Sequence, residues 1–201
     1  DITEAVQPGK EQCLAVRVTN PGGNFHWQDF NEMYWGKYQI PPGRSFGGII
    51  GRVRLDAVSP VYVSDIYMQN QPERTKVKAI LTVNNTSAKT EKQDIYFSVY
   101  EKENPGKVIL EKKLPRVALK QGTNVVTMEL HCPEARIWDL DTPYLYVCGV
   151  DVKSGKKLSD RAVQTFGFRW FEPVGIGKDA MLRLNGRRVM LRTAISWGYW
   201  P

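Results

Sequence analysis

The chain has 201 residues, 42% of them apolar and 24% charged, which suits one or two soluble globular domains with a buried core. It is shorter than a full (β/α)8 barrel, which needs about 250 residues, and no apolar run reaches the length of a membrane-spanning helix. The net charge is +7, but residues 1–60 are balanced, and the last segment, 169–201, carries six basic against two acidic groups. In the middle segment the lysines alternate with apolar residues, as on the solvent face of a strand, so a nucleic-acid surface is not expected.

The chain opens on Asp1-Ile2-Thr3-Glu4, without an initiator Met, a basic n-region or an apolar h-region, so its start is expected to be a processing boundary. With 17 Gly, 12 Pro and 22 aromatic residues, the composition suits a turn-dense β protein. Gln12 to Thr19 alternates, placing Leu14, Val16 and Val18 on one face of a predicted strand. A loop rich in aromatics and glycine follows from Asn20 to Gly48, and Ile49 to Leu55 is strand-like again.

Val61 to Gln69 is the next predicted strand. Val77, Ala79, Leu81 and Val83 then alternate with Lys76, Lys78, Ile80 and Thr82, as on a half-buried strand that ends at Asn84-Asn85. Ile95, Phe97 and Val99 repeat the pattern up to Asn104-Pro105-Gly106. Val108 to Glu111, Val125 to Leu130, Leu145 to Val152 and Leu158 to Phe168 complete about seven strands between Pro60 and Phe168. Strand number and turn spacing predict an immunoglobulin-like sandwich, without the antibody Cys…Trp…Cys pattern. Further on, Leu182–Leu184 and Val189–Leu191 flank Asn185-Gly186, a strong hairpin signal.

The three cysteines are Cys13, Cys132 and Cys148. No pair has C-x-x-C spacing, and with His26 and His131 alone a zinc site is not expected. Three reduced, packed thiols are expected, with a Cys132–Cys148 disulfide as the alternative. No Gly-rich phosphate loop is present, because Gly47-Gly48 precedes a strand and not a helix. No cofactor is expected.

Four stretches in order resemble glycoside hydrolase family 2, the family of β-galactosidases, β-glucuronidases and β-mannosidases. They are Gly47-Gly48-Ile49-Ile50-Gly51-Arg52-Val53-Arg54-Leu55; Ile137-Trp138 with Pro143-Tyr144-Leu145-Tyr146; Phe166-Gly167-Phe168-Arg169; and Leu184-Asn185-Gly186-Arg187-Arg188-Val189-Met190-Leu191-Arg192. The resemblance implies an all-β chain in three parts. Residues 1–58 would be the C-terminal part of a jelly-roll sugar-binding domain, 59–168 the sandwich, and 169–201 the linker, a hairpin and the first strand of a truncated catalytic TIM barrel. It also implies retaining hydrolysis of β-glycosides by two glutamates, which lie on later barrel strands in the family. Neither is assigned here, so the chain alone is expected to be inactive.

After Leu191-Arg192 the run Thr193-Ala194-Ile195-Ser196-Trp197 departs from the family's usual Gly, Asn or Ser, and His, which leaves the sugar open. The implied partners are carbohydrate and the chain's own missing barrel. By analogy the compartment leans periplasmic or extracellular. A stand-alone carbohydrate-binding or structural sandwich module is the alternative reading.

Candidate substrate-binding residues follow from position. Ser196, Trp197 and Trp200 would lie just past the first barrel strand, at the face where barrel active sites form. Trp27 and Asp29, in one loop with Tyr34 and Trp35, pair an aromatic face with a carboxylate that accepts from sugar hydroxyls. Asp29 and Glu32 are rejected as a catalytic pair, because three residues of irregular loop fix no separation. Trp138, Tyr144 and Tyr146 are expected in the sandwich core or its corner.

Overall fold

The computed structural model describes residues 2–7, 9–18, 49 and 51–193. The chain divides into two compact units, Asp1–Asp56 and Ala57–Pro201. Among the described residues there is no helix, so none is long and apolar enough to cross a membrane.

In the first unit the described residues form no strand. The strands expected over Gln12–Thr19 and Ile49–Leu55 are therefore absent from the parts described. The alternation is there, but Leu14, Val16, Val53 and Leu55 are exposed. A period of two only makes a segment suited to a sheet; a ladder needs a neighbouring strand to supply its hydrogen bonds.

The second unit is built on seven antiparallel strands: β1 (Val61–Asn70), β2 (Lys76–Asn85), β3 (Glu91–Glu101), β4 (Val108–Leu119), β5 (Gly122–His131), β6 (Tyr146–Ser154) and β7 (Lys157–Phe166). They form two sheets, β1-β2-β5 and β4-β3-β6-β7. This is the expected immunoglobulin-like sandwich. A third sheet, β8 (Phe171–Val174), β9 (Met181–Leu184) and β10 (Arg187–Val189), follows in the order β10-β9-β8.

Alternation sets the inside. Val77, Ala79, Leu81 and Val83 of β2 are buried, and so are Ile95, Phe97 and Val99 of β3 and Cys148, Val150 and Val152 of β6. They belong to one continuous apolar cluster. Strand β4 runs eight residues past the expected Glu111. The register shifts between Gln93 and Ile95, Arg116 takes φ 53°, and the Arg116 N–H is met by the Asp94 carboxylate at 2.8 Å. Pro115 is thus carried at a bulge, where the missing N–H disturbs the ladder least.

Polar groups inside are satisfied. Asn85 is fully buried; its amide donates to the Lys89 and Leu119 carbonyls and accepts from the Ser87 N–H and hydroxyl. Among the described residues no buried side-chain N or O lacks a partner. Glu101 is buried beside Lys107 at 2.6 Å. The Lys107 ammonium, and then the Tyr144 hydroxyl, hold its carboxyl below the usual range.

Tyr146 opens β6, and its hydroxyl accepts the Arg136 backbone N–H at 2.8 Å. A tyrosine hydroxyl bonded to upstream backbone is a corner device of such sandwiches. Tyr146 is buried as expected; Tyr144 is half-buried beside it, ring centroids 5.3 Å apart, and Trp138 is half-buried against Gly167. Cys132 and Cys148 are free and buried, and burial pushes their thiols up to about 11 and about 12. Cys13 is also free but exposed, so the expectation of a third packed thiol is corrected.

Tyr146→Phe strands the Arg136 N–H in a part-buried corner and is expected to cost about 1–3 kcal/mol, read as a lower urea midpoint at unchanged slope. The lowered Glu101 carboxyl gives a pH signature. Its contribution is complete above the ordinary carboxylate value, about 4.3, and is lost as the pH falls through the lower native value. Acid titration of unfolding should show that loss in the wild type and a shallower acid limb in Glu101→Gln.

Candidate functional site at the sandwich–hairpin junction

The five residues expected to bind substrate, Trp27, Asp29, Ser196, Trp197 and Trp200, lie outside the described residues. Among the described residues no three or more His, Cys, Asp or Glu side chains cluster to hold a metal ion. His131 stands 3.6 Å from Glu73 on the surface. What the structure does bring together is the set of motifs that join the sandwich to the hairpin.

Gly167 sits directly on Trp138. A Cβ there would lie 2.9–3.1 Å from three atoms of that side chain. Glycine is therefore set by close approach, since contacts that short force a neighbour to move. The Trp138 backbone N–H donates to the Phe168 carbonyl at 2.8 Å, and Ile137 bridges Phe168 in parallel. Phe168 is fully buried, edge-on to Tyr146 at 5.2 Å and to Phe166 at 4.9 Å. The Arg169 guanidinium lies over the Trp138 ring, 4.7 Å from its centroid.

The hairpin is fastened to this stack by one residue. Asn185 and Gly186 take φ 50° and 84°, as a type I′ turn requires at both central positions. The Asn185 amide nitrogen donates to the Trp138 carbonyl at 2.8 Å, and its amide oxygen accepts the Trp170 N–H at 2.9 Å. Its backbone N–H donates to the Trp170 carbonyl, and its own carbonyl accepts from Arg74. Arg187 and Asp139 add an ion pair at 3.3 Å. Sequence reasoning found the Asn-Gly turn but not the clamp, because Trp138 lies 47 residues away.

Beside the clamp is an open hollow of about 470 Å³, bordered by Tyr67, Gln69, Gln71, Arg169, Trp170 and Phe171. Nearby chain carries exposed apolar side chains, including Phe171, Ile176, Met190 and Leu191. The arrangement holds no nucleophile beside a base. It fixes the direction in which the chain leaves the sandwich.

The family model described as glycosyl hydrolases family 2 matches residues 61–169, more than half of the chain. The chain belongs to glycosyl hydrolases family 2. The matched span ends at Arg169, inside the Gly167-Phe168-Arg169 stack. Over 215 aligned residues the chain is 24% identical to a β-glucuronidase of Formosa agariphila, using all of this chain and 21% of that protein. This family 2 chain therefore spans about a fifth of the curated relative it matches. A family 2 structure from Bacteroides cellulosilyticus superimposes on 65% of the chain and 18% of its own length, with TM-score 0.54 and 21% identity. A Parabacteroides merdae β-glucuronidase matches 66% of the chain and 16% of its own length, with TM-score 0.50 and 27% identity.

Gly167→Ala forces the Trp138 side chain aside and is expected to destabilise by about 1–3 kcal/mol. Asn185→Gly keeps the turn but removes both side-chain bonds, at about 0.5–1.5 kcal/mol each. Asn185→Ala adds a left-handed penalty of about 1–2 kcal/mol and should be the worse of the two. Urea unfolding ranks them, and faster hydrogen exchange at the Trp170 amide reports the lost clamp.

Proposed function

We propose that this chain is the non-catalytic N-terminal region of a retaining β-glycosidase. In this reading residues 1–58 are the end of a jelly-roll sugar-binding domain. Residues 59–168 are the sandwich, and 169–201 run through the linker and hairpin into the first strand of the catalytic barrel. The observation that carries the reading is the family match across the sandwich, in a chain that aligns end to end with a fifth of a β-glucuronidase.

The role of the region is to support the barrel and shape the substrate entrance. The Asn185 clamp holds the hairpin to the sandwich, so the chain would enter the barrel from a fixed base. The exposed apolar side chains of Ile176, Met190 and Leu191 would be covered by that barrel. Catalysis would fall to two glutamates beyond residue 201, about 5–5.5 Å apart as retention requires. One protonates the leaving oxygen, and the other attacks the anomeric carbon. Trp27, Asp29, Ser196, Trp197 and Trp200 are then the substrate contacts this region would lend to the barrel mouth.

Two relatives named β-glucuronidases make a β-glucuronide the first substrate to assay. The 201-residue chain should release no 4-nitrophenol from 4-nitrophenyl β-D-glucuronide above buffer. The protein translated from the whole reading frame should hydrolyse this or another 4-nitrophenyl β-glycoside, and replacing either barrel glutamate by Gln should abolish turnover. A reading frame with no barrel would overturn the proposal and favour the stand-alone module.

A further inference from the structure

Asn185 precedes Gly186, and no other asparagine of the chain precedes a glycine. The pair matters chemically because glycine has no Cβ to shield its backbone nitrogen, so that nitrogen can attack the amide carbon of the Asn185 side chain. A Cβ placed on Gly186 would meet no heavy atom within 4 Å beyond its chain neighbours, so water reaches the turn freely. The ladder pairs Leu184 with Arg187 and leaves the Gly186 N–H, between them, outside it. The Arg74 guanidinium donates to the Asn185 carbonyl at 3.1 Å, and the Arg183 guanidinium to the Gly186 carbonyl at 2.7 Å. The Asn185 carbonyl belongs to the same peptide group as the Gly186 N–H, and positive charge beside it eases loss of that proton.

The closed clamp blocks the attack twice. Ring closure needs the Asn185 Cβ and the Gly186 nitrogen on the same side of the Cα–C bond. A type I′ turn holds ψ of its first central residue at about 30°, which puts the two nearly opposite in an L-residue. The amide carbon also carries both pinned atoms. Its nitrogen donates to the Trp138 carbonyl at 2.8 Å, and its oxygen accepts the Trp170 N–H at 2.9 Å. A carbonyl only accepts and a backbone N–H only donates, so these partners fix which atom is which. The carbon cannot turn toward Gly186 without releasing both.

We propose that Asn185 is a modification site gated by its own clamp: it deamidates when the hairpin lifts from the sandwich, and the product cannot close the clamp again. The Gly186 nitrogen, its proton taken by hydroxide, forms a bond to the side-chain carbon of Asn185. The C–NH2 bond breaks, and ammonia leaves with a proton from water. Water then opens the cyclic imide at either carbonyl and leaves aspartate or isoaspartate at position 185. Nothing is oxidised or reduced. In the aspartate product an acceptor oxygen stands where the amide nitrogen had met the Trp138 carbonyl, so a hydrogen bond is replaced by two facing acceptors. Isoaspartate adds a backbone carbon to a two-residue turn and disturbs the pairing of Leu184 with Arg187. The change runs one way, so openings of the hairpin accumulate as a permanent loosening between the sandwich and the chain beyond it. The inference lies within residues 74–187 and does not depend on the glycosidase reading.

The test is incubation of the 201-residue chain in mildly alkaline heavy-oxygen water, followed by peptide mapping in a mass spectrometer. Heavy oxygen at position 185 marks each event. In urea above the unfolding transition, position 185 is expected to convert faster than Asn84 and Asn124. In native buffer it should convert more slowly by about tenfold or more, because only the opened fraction reacts. Gly167→Ala displaces Trp138, and Asp139→Asn removes the ion pair to Arg187. Native-state conversion should rise by about threefold or more in the first and by about twofold in the second. Asp139→Asn covers the case in which Gly167→Ala does not fold. Asn185→Asp reads the product directly: hydrogen exchange at the Trp170 amide should quicken by about tenfold or more. Native conversion as fast as in urea overturns the proposal. So does faster conversion of Asn84 or Asn124 in urea, a wild-type rate in every folded variant, or Trp170 exchange in Asn185→Asp unchanged from the wild type.

Discussion

The second unit depends on two apolar surfaces meeting across the sandwich. Val77, Ala79, Leu81 and Val83 on one sheet share a cluster with Ile95, Phe97, Val99, Val150 and Val152 of the other. Burying a side chain of this kind contributes about 1.5–3 kcal/mol, and period-2 alternation delivers the whole set at once. A one-residue slip of any strand would turn its set to water. The polar residues that share this interior are bonded within it, as Asn85 shows, so they fix turns without opposing the burial.

The same constraint divides the chain into what is legible and what is not. Strands β1, β2, β3, β5 and β6 were visible because each carries its own inward row, and β7 because the Ser154-Gly155 turn sets it off from β6. The second half of β4 was not, since Lys112, Lys113 and Pro115 break the pattern; the Asp94 carboxylate meets the Arg116 N–H at the bulge, and the ladder to β3 resumes beyond it. Strand β8 was missed because Phe171-Glu172-Pro173-Val174 is short and holds a proline. In the opposite sense, Leu14-Ala15-Val16-Arg17-Val18 has a strand's pattern without a strand. Alternation describes a face, and pairing is a property of two segments.

At the junction, what the sequence carried was local and what it hid was distant. Asn185-Gly186 announced a turn through backbone preference alone. The further work of Asn185, reaching Trp138 and Trp170 at once, depends on a separation that only the folded sandwich closes. Gly167 is similar: nothing in Phe166-Gly167-Phe168 says that an indole lies where its Cβ would be. The five substrate contacts expected from position, Trp27, Asp29, Ser196, Trp197 and Trp200, lie outside the described residues, so they rest on the resemblance and on aromatic chemistry.

Three of the four stretches that resemble the family meet at one end of the sandwich. Trp138 bonds Phe168 and touches Gly167, Tyr146 packs on Phe168, and Asn185 closes onto Trp138. Trp138, Phe168, Tyr146 and Asn185 are each held by two or more others, so altering one strands its partners. The outer face of β4-β3-β6-β7 is under no such restriction. Its side chains stand in water, and the inner rows of the same strands hold the fold without them.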